Sequence, residues 1–468
     1  MKMPLSEIML AATLTLLFLL FHVEVTGAEQ ANNSLKVYDE IRISPPDTNC
    51  DYYKEDYKRL YFNFDYPKLI IVDDKNPIVA FVDTKSKRLI FREISGQGLK
   101  TILNIPSFYE RNLFDKWPII FIHKDKIYIA AMFETQSNKE RQYHIKIFLF
   151  ERNNNKLTLQ NDKLLTEREL PDDKSKSQVY LSGIYPYNKD KKFIIVGGFN
   201  ESHFHPLALF SGDFPSFTKS FSLIWEDSEI DKYRTIEQKG WFGAHQRSYA
   251  LSDTDQVYGV WVRDSSRVGL SNKHNETICY SVNKNGTAWS IPLELYLVKK
   301  TELSNHIRNL SLSSFDNSAF LLWQDVEEGF YFEEIKDGIQ HGIIKLDEAK
   351  VTNEIAEYLW GASTAKLTVD QQGNVYALWV RNFRSQYQIF LKSRANNKWT
   401  QTIILNSGTG IVKLPDMQVD KKGTIHITYI KKTSEKNVAC YYIKLVKKEK
   451  SGRIGVRKNR GQALTEDR

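Results

Sequence analysis

The sequence predicts an all-β protein, and specifically a β-propeller of four-stranded blades, on three observations. A short apolar run recurs seven times, and its best copies end in an aromatic residue followed by a polar or charged one. The starts of the runs lie 50 to 66 residues apart, near the length of a four-stranded blade. Aromatic residues make up 13% of the chain, which suits strands. The runs begin at Asn76, Lys126, Lys192, Gln256, Ser318, Asn374 and Thr424. Seven copies predict seven blades.

The amino terminus has the order of a secretory signal peptide. Lys2 precedes an apolar stretch from about Ile8 to Val23, and Thr26-Gly27-Ala28 provides a small-residue cleavage signature. The stretch is short for a membrane span, and no second long apolar run follows. We therefore expect a secreted, extracellular chain that begins near Glu29 and has no transmembrane segment. The predicted organisation is a signal peptide at 1–28, an N-terminal segment at 29–54, the propeller at 55–446 and a basic disordered tail at 447–468.

Five Asn-x-Ser/Thr sequons agree with export and predict a glycoprotein. Asn285 lies in a predicted hairpin tip, an exposed setting that suits glycosylation. The five asparagines are Asn32, Asn200, Asn275, Asn285 and Asn309.

The chain has three cysteines, too few for a disulfide scaffold, so packing must hold the core. Cys50 precedes the first run and Cys440 lies in the last repeat. A propeller brings its first and last segments together, so we expect a Cys50–Cys440 disulfide, with Cys279 free and buried. The alternative is three reduced core cysteines.

Two copies display the expected blade design most fully. Each has a turn at 253–256 or 370–374, an alternating strand, a second strand, a polar hairpin and then Trp289 or Trp399. A ring of such blades hides every sheet face, which a single unit could not do. The one helix candidate spans Asp347 to Tyr358, as an insert between blades.

One hairpin carries a family resemblance. Ser281, Gly286, Thr287 and Trp289 resemble the Asp-box of the sialidase superfamily, Ser-x-Asp-x-Gly-x-Thr-Trp, with one inserted residue and Asn in place of Asp. A second copy, without the Gly, lies at 392–399. The resemblance implies a propeller, of six blades in that family.

A sialidase activity would further imply that Arg263 and Arg381 bind the substrate carboxylate. The early Arg-containing segment of that family is missing, and its Tyr–Glu nucleophile pair is unassigned. Asp-boxes are folding elements, so the motif indicates fold rather than activity.

The residue that follows each run emerges from the same place in every repeat, and these residues form our candidate site. As the ends of equivalent strands, they should share one face near a central channel and present mixed charge. The alternative is a set of solvated charges in weak surface salt bridges. The positions are Asp83, Glu134, Asn200, Arg263 with Asp264, Asp325, Arg381 and Lys431.

The sequence predicts no metal and no cofactor. His203-x-His205 and His245 lack further ligands at a diagnostic spacing, and neither a Gly-x-Ser-x-Gly elbow nor a phosphate-binding glycine loop is present. The formal net charge is +8, and much of the excess lies after residue 446. In a secreted protein this favours an anionic glycan or an extracellular protein, not a nucleic acid, as partner.

The function that we predict is therefore a monomeric, non-catalytic binding protein that uses its strand-end residues. Two alternatives stay open. One is a sialidase-like glycoside hydrolase. The other is a secreted propeller that carries a small ligand in its channel.

Overall fold

The fold is described from a computed structural model. It covers residues 35–38, 40–50, 67–71, 75–83, 85–86, 88–106, 119–123, 126–137, 140–153, 156–164, 178–187, 192–200, 204–213, 222–223, 244–252, 254–264, 276–284, 288–290, 292–298, 306–348, 364–383, 386–405, 410–434 and 437–447. The signal peptide, the basic tail and the sequons at Asn32, Asn275 and Asn285 lie outside these residues.

The chain divides into two compact units. One is Tyr38–Lys444, and the other combines Met1–Val37 with Leu445–Arg468. In the second unit, strand β1 (Leu35–Val37) pairs antiparallel with Leu445, Val446 and Lys447.

The unit Tyr38–Lys444 contains antiparallel sheets, and every regular element in the described residues is a strand, so the all-β prediction is confirmed. Seven sheets can be followed in these residues, and we number them in chain order. Sheet 1 consists of β3 (Lys68–Ile70), β4 (Ile78–Asp83), β5 (Arg88–Ser95) and β6 (Gly98–Pro106). Sheet 2 consists of β7 (Ile119–His123), β8 (Lys126–Ser137), β9 (Glu140–Asn153) and β10 (Lys156–Leu164). Sheet 3 consists of β11 (Gln178–Tyr187), β12 (Lys192–Asn200), β13 (Phe204–Asp213) and β14 (Ser222–Leu223).

Sheets 4 to 6 have the same order, except that two short strands share the outer position. Sheet 4 consists of β15 (Ala244–Leu251), β16 (Gln256–Asp264), β17 (Glu276–Lys284), β18 (Ala288–Trp289) and β19 (Leu293–Val298). Sheet 5 consists of β20 (Ile307–Phe315), β21 (Ser318–Asp325), β22 (Gly329–Lys336), β23 (Ile339–Gln340) and β24 (Ile344–Asp347). Sheet 6 consists of β25 (Ala365–Val369), β26 (Val375–Phe383), β27 (Gln386–Ala395), β28 (Lys398–Trp399) and β29 (Ile403–Leu405). Sheet 7 contains β30 (Ile411–Val419), β31 (Ile425–Ser434) and β32 (Asn437–Lys447), and β2 (Ile41–Arg42) pairs with β32.

Each of the seven apolar runs forms the second strand of a sheet. In β4 and β21 every residue is buried, so the side chains on both faces of these two strands are covered. Trp323 and Trp379 face apolar clusters that include residues of the preceding sheet, and both are fully buried. Tyr429 is also fully buried in the second strand of sheet 7. The recurrent aromatic residue is therefore an inter-sheet core residue.

The first strands connect the sheets. Contacts join the first strands of sheets 2 and 3, 3 and 4, 4 and 5, 5 and 6, and 6 and 7, and β30 also contacts β3 of sheet 1. Side chains on three of these strands accept hydrogen bonds from the backbone of the neighbouring first strand. Leu312 N donates to Ser248 Oγ (3.0 Å), Leu367 N to Ser311 Oγ (2.9 Å) and Leu69 N to Asp416 Oδ2 (2.8 Å).

Residues 40–50, which we call the N-terminal strap, join the last sheet to the first. Ile43 N donates to Cys440 O (2.7 Å), and Cys50 N donates to Val438 O (3.0 Å). On the other side, Asn49 N donates to Asp83 Oδ1 in sheet 1 (3.0 Å). The strap therefore contacts both the last sheet and the first.

Two sequence predictions need correction here. Cys50, Cys279 and Cys440 are buried free thiols, so the predicted Cys50–Cys440 disulfide is not formed. The strap does bring the two segments together, but the Cys440 thiol lies 3.5 Å from Thr428 Oγ1 instead. Asp347, the predicted start of a helix, is instead the last residue of strand β24, and residues 349–358 of that prediction lie outside the described residues.

A search of the described residues found no helix long and apolar enough to cross a membrane.

Candidate functional site

Asp83 and Asp325 hold turns. Each is the last residue of its second strand and is buried. Asp83 Oδ1 accepts from Lys85 N (3.1 Å), and Asp325 Oδ1 accepts from Glu327 N (3.0 Å). Both carboxylates thus satisfy backbone donors in the turn that leads to the third strand.

Arg381 belongs to an internal cluster that links sheets 5 and 6. Asp347 accepts from Trp379 Nε1 and from Arg381 Nη1, both at 2.6 Å. The Arg381 guanidinium also lies 4.3 Å from the centre of the Phe390 ring. We call this arrangement, an acid that bridges an aromatic and a basic residue of one second strand, an acid clamp.

Lys431 lies in a second acid clamp, whose acid comes from the strap. Glu40 accepts from Tyr429 OH and from Lys431 Nζ. Lys431 Nζ lies 4.4 Å from the centre of the Tyr441 ring. Burial, together with Glu40, raises the pKa of Tyr429, so its phenol remains a protonated donor.

The other predicted residues are described through their strand positions. Glu134 pairs with Tyr143, and Asn200 pairs with Phe204. Arg263 and Asp264 pair with Thr277 and Glu276. These four residues lie towards the carboxyl ends of second strands β8, β12 and β16, as Asp83, Asp325, Arg381 and Lys431 do in theirs.

A more uniform charge lies on the first strands. The first strands of the seven described sheets contain five basic residues and one acidic residue, Asp416. The second strands, by contrast, contain six basic and four acidic residues. We call the five basic residues the first-strand cations: Lys68, Arg247, Arg308, Lys366 and Lys413.

Asp416 is shared between two of these cations. Lys366 Nζ lies 3.2 Å from Asp416 Oδ1, while Oδ2 accepts from Leu69 N. Burial alone would raise the pKa of Asp416, but Lys366, Lys68 and the Leu69 N–H together hold it below its usual range. Asp416 is therefore ionised and ties together the first strands of sheets 6, 7 and 1.

Arg308 and Lys413 stand at equivalent β-bulges. The register of β20 shifts between Arg308 and Ser311, and that of β30 shifts between Lys413 and Asp416. The residue after each cation has a positive φ, 57° at Asn309 and 53° at Leu414. Bulges redirect side chains and are enriched next to functional sites, and a left-handed leucine is unusual. Both cations are buried, with exposed fractions of 8% and 4%.

Asn309 fixes the bulge of β20 and corrects one glycosylation prediction. Its Oδ1 accepts from Thr364 N (2.8 Å), and its Nδ2 donates to Gln324 Oε1 (2.6 Å) and to Thr364 Oγ1 (2.7 Å). This buried amide uses both polar atoms inside the protein. The structure has no room for a glycan at Asn309.

A polar cluster surrounds the start of β20. Glu276 is fully buried and accepts from Ile307 N (2.7 Å). Burial lowers the pKa of Arg308, and Glu276 opposes that shift. His306 is also buried, and its Nδ1 lies 4.0 Å from Glu327 Oε1. Neither ring nitrogen of His306 has a hydrogen-bond partner among the described residues.

Sequence reasoning missed the first-strand cations because it followed the apolar runs. A usable signal existed, since each of these five basic residues precedes the start of its run by eight to eleven residues. The first strands are less regular in sequence than the second strands. Their bulges also change the spacing between the cation and the following run.

The two hairpins that resemble the Asp-box share one hydrogen-bond pattern. Ser290 N donates to Val282 O (2.8 Å), and Val282 N donates to Ser290 Oγ (3.0 Å). In the second copy, Thr400 N donates to Ser393 O (2.8 Å), and Ser393 N donates to Thr400 Oγ1 (3.0 Å). In both, a hydroxyl residue after the tryptophan secures the hairpin, which is a structural role.

Over the ranges that the structure describes, no group of three or more His, Cys, Asp or Glu side chains is arranged to hold a metal ion.

No family model and no curated protein matches this chain. Solved structures with a similar backbone trace include the WD40 domain of SCAP from fission yeast (9% identity, covering 88% of this chain and 90% of that chain, TM-score 0.41). A Trypanosoma rangeli sialidase mutant with trans-sialidase activity is also similar (6% identity, 87% and 59% covered, TM-score 0.40). So is an endo-arabinase from Bacteroides thetaiotaomicron (11% identity, 72% and 94% covered, TM-score 0.32). At these values the similarities assign no activity to the chain, and the sialidase resemblance stays a prediction.

Proposed function

We propose that this chain is a secreted, seven-bladed β-propeller that binds an acidic glycan through its first-strand cations. The fold part of the proposal draws on the seven described sheets. The first strands of sheets 2 to 7 contact one another in chain order, β6 of sheet 1 contacts β10 of sheet 2, and β30 of sheet 7 contacts β3 of sheet 1. In such a ring the first strands are innermost, so their side chains would surround a central opening.

The observation that carries the binding proposal is the five-to-one excess of basic residues on the first strands. Like charges on contacting strands repel one another, so their accumulation is unfavourable unless an anion offsets it. Asp416 offsets the charge of Lys366 and Lys68, and Glu276 lies beside Arg308, while bulges redirect Arg308 and Lys413. A glycan with several carboxylate or sulfate groups matches a row of such cations.

The sequence predicted a binding site on the second strands, whereas the site proposed here lies on the first strands. Arg381 and Lys431 are engaged in acid clamps, and Asp83 and Asp325 hold turns. These contacts lie within the fold, and the binding proposal rests instead on the series of first-strand cations in sheets 4 to 7 and sheet 1.

The test is an array of acidic and neutral glycans probed with the secreted full-length protein and with the double variant Lys366→Gln/Lys413→Gln. The matched control is Lys336→Gln/Lys398→Gln, which removes two exposed lysines from hairpins at the other end of the strands. We expect the wild type and the control to bind acidic glycans with an affinity that falls as the salt concentration rises. The affinity of the double variant for the same glycans should be at least tenfold lower. Equal binding by all three proteins, or no binding to acidic glycans, would overturn the proposal.

Secretion is tested separately. Sequencing the amino terminus of the exported protein should give a start near Glu29. A product that retains Met1 would contradict export by signal cleavage.

A further inference from the structure

The interior position of the His306 ring suits only its neutral form. Its side chain is 1% exposed, and neither ring nitrogen has a hydrogen-bond partner among the described residues. A protonated imidazole carries two N–H donors, and burying that charge without acceptors costs free energy. Burial accordingly lowers the pKa of His306, which keeps the ring neutral at pH 7.

Two acids of the turn between β21 and β22 lie near the ring. Glu327 Oε1 is 4.0 Å from His306 Nδ1, beyond hydrogen-bond distance, and the Glu327 side chain is 68% exposed. Asp325 is buried and already accepts from Tyr296 OH (3.0 Å) and from the backbone of the turn. Both carboxylates favour the protonated ring, but neither accepts a hydrogen bond from it in the folded state.

Two further charged groups, Arg308 and Glu276, lie close to this position. Arg308, two residues further along β20, opposes protonation of His306. Glu276 of β17 is buried, accepts from Ile307 N (2.7 Å) and favours the charged form of Arg308. Arg308 therefore keeps its positive charge, and a second cation next to it is repelled.

His306 lies at the end of the β20–β21 pairing, next to the turn. Val326 N donates to His306 O (3.0 Å), and Ile307 pairs with Asp325. Ile307 is the first residue of β20 and Asp325 the last of β21. The ends of a strand pair open locally at a lower free energy than its centre. Opening of this end exposes the ring to water, which supplies the hydrogen bonds that an imidazolium lacks in the interior.

We propose that His306 is an acid-sensitive switch, whose protonation opens the start of β20 and the turn between β21 and β22. The open state binds the proton more tightly than the folded state, because water stabilises the charged ring there. Acid therefore raises the open population, by up to about tenfold per pH unit below about 6.5, the ordinary pKa of histidine. At neutral pH the ring stays inside and the turn stays closed. The switch is separate from the proposed glycan binding and requires no ligand.

Amide hydrogen exchange of the full-length protein measures the opening. The reporter is Val326 N, and the internal reference is Val380 N of β26, which donates to Thr364 O (2.8 Å). After correction for the intrinsic pH dependence of exchange, lowering the pH from about 7.5 to about 5.5 should reduce the protection of Val326 at least threefold relative to Val380. His306→Gln should abolish this relative change. The matched control His341→Gln, at an exposed histidine, should behave as the wild type.

A second measurement keeps the wild-type side chain, because His306→Gln changes a buried residue. The imidazole resonance of His306, assigned by isotope labelling, should titrate below about pH 6.5. Titration at or above that pH would show that His306 is not the switch. So would a relative protection of Val326 that does not depend on pH, or that falls equally in the wild type and in His306→Gln.

Discussion

Two partly buried acids, Asp347 and Glu40, act on partners that are distant in sequence. Asp347 bridges Trp379 and Arg381, and Glu40 bridges Tyr429 and Lys431, so two sheets use one arrangement. Arg381 and Lys431 were found from sequence because they end recurrent runs. Their acids were not found, since Asp347 lies 34 residues before Arg381 and Glu40 lies 391 residues from Lys431. When its acidic partner is unknown, a basic residue that stabilises the fold looks the same in the sequence as one that binds a ligand.

The acid clamp leads to a stability prediction. Asp347→Asn should lower the free energy of unfolding by about 2 kcal/mol, because a charged acceptor of two hydrogen bonds is lost in a partly buried setting. Urea denaturation of the mature protein measures the change. Asp337→Asn, at an exposed turn, is the matched control and should stay within about 0.5 kcal/mol of wild type. An equal loss in both variants would contradict the clamp.

Glu333 gives a pH-dependent prediction. It is 1% exposed on β22, and burial raises its pKa to about 7. Between pH 4.5 and 7 the folded state holds a proton that the unfolded state has released, so Glu333 reduces stability as pH rises through this range, by at most roughly 1.4 kcal/mol per unit. Above pH 7 both states are ionised and the reduction is complete.

The measurement is the unfolding free energy of the wild type and of Glu333→Gln from pH 4.5 to 8. The advantage of the variant over the wild type should increase by about 3 kcal/mol across that range and then level off. Parallel curves would show that Glu333 does not titrate in this interval.

At the scale of the element, two turns are held by an aspartate in the same way. The turn before β26 is held by Asp370, whose Oδ1 accepts from Gln372 N and Asn374 N, both at 2.9 Å. Asp420 serves the turn before β31 in the same way, with Lys422 N and Thr424 N. Both turns could be predicted from sequence, because Asp and Gly at this spacing are typical of such turns. The bulges at Arg308 and Lys413 could not, since a bulge changes pairing without changing composition.

Gly373 tests the turn before β26. Its φ is +78°, and an added Cβ would lie 3.0 Å from the Phe315 ring. Gly373→Ala should therefore cost about 1–2 kcal/mol of stability through backbone strain and crowding. Gly96→Ala, which meets no atom within 4 Å, is the control and should change stability little. Thermal unfolding compares the two, and equal melting temperatures would contradict the role of the turn.

At the scale of the whole molecule, the strap links the last sheet of the series to the first. It places Ile43 and Cys50 in the apolar cluster that sheets 1 and 7 share. The all-β class and the seven recurrent strands were predictable, because they rest on local periodicity. The link between the first and last segments was predicted only in outline, through the expectation that Cys50 approaches Cys440. Backbone hydrogen bonds and buried apolar side chains, rather than a disulfide, make this link.

Removal of the strap should therefore weaken the entire unit. A chain that starts after Cys50 should lose at least about 3 kcal/mol, since it exposes part of the shared core and frees the edge of β32. The control removes residues 448–468 and leaves β32 complete, and we expect its unfolding midpoint to match that of the wild type. Chemical denaturation followed by tryptophan fluorescence reports both. Unchanged stability without the strap would contradict its linking role.

The strap also sets an order of events during synthesis. Residues 40–50 leave the ribosome early, yet their partners in β32 are made almost last. Until the last sheet is made, β3 lacks its neighbour β30, and its apolar surface stays exposed to solvent. The protein is thus expected to depend on chaperones throughout translation, and a nascent chain halted before residue 437 should remain sensitive to protease along its whole length.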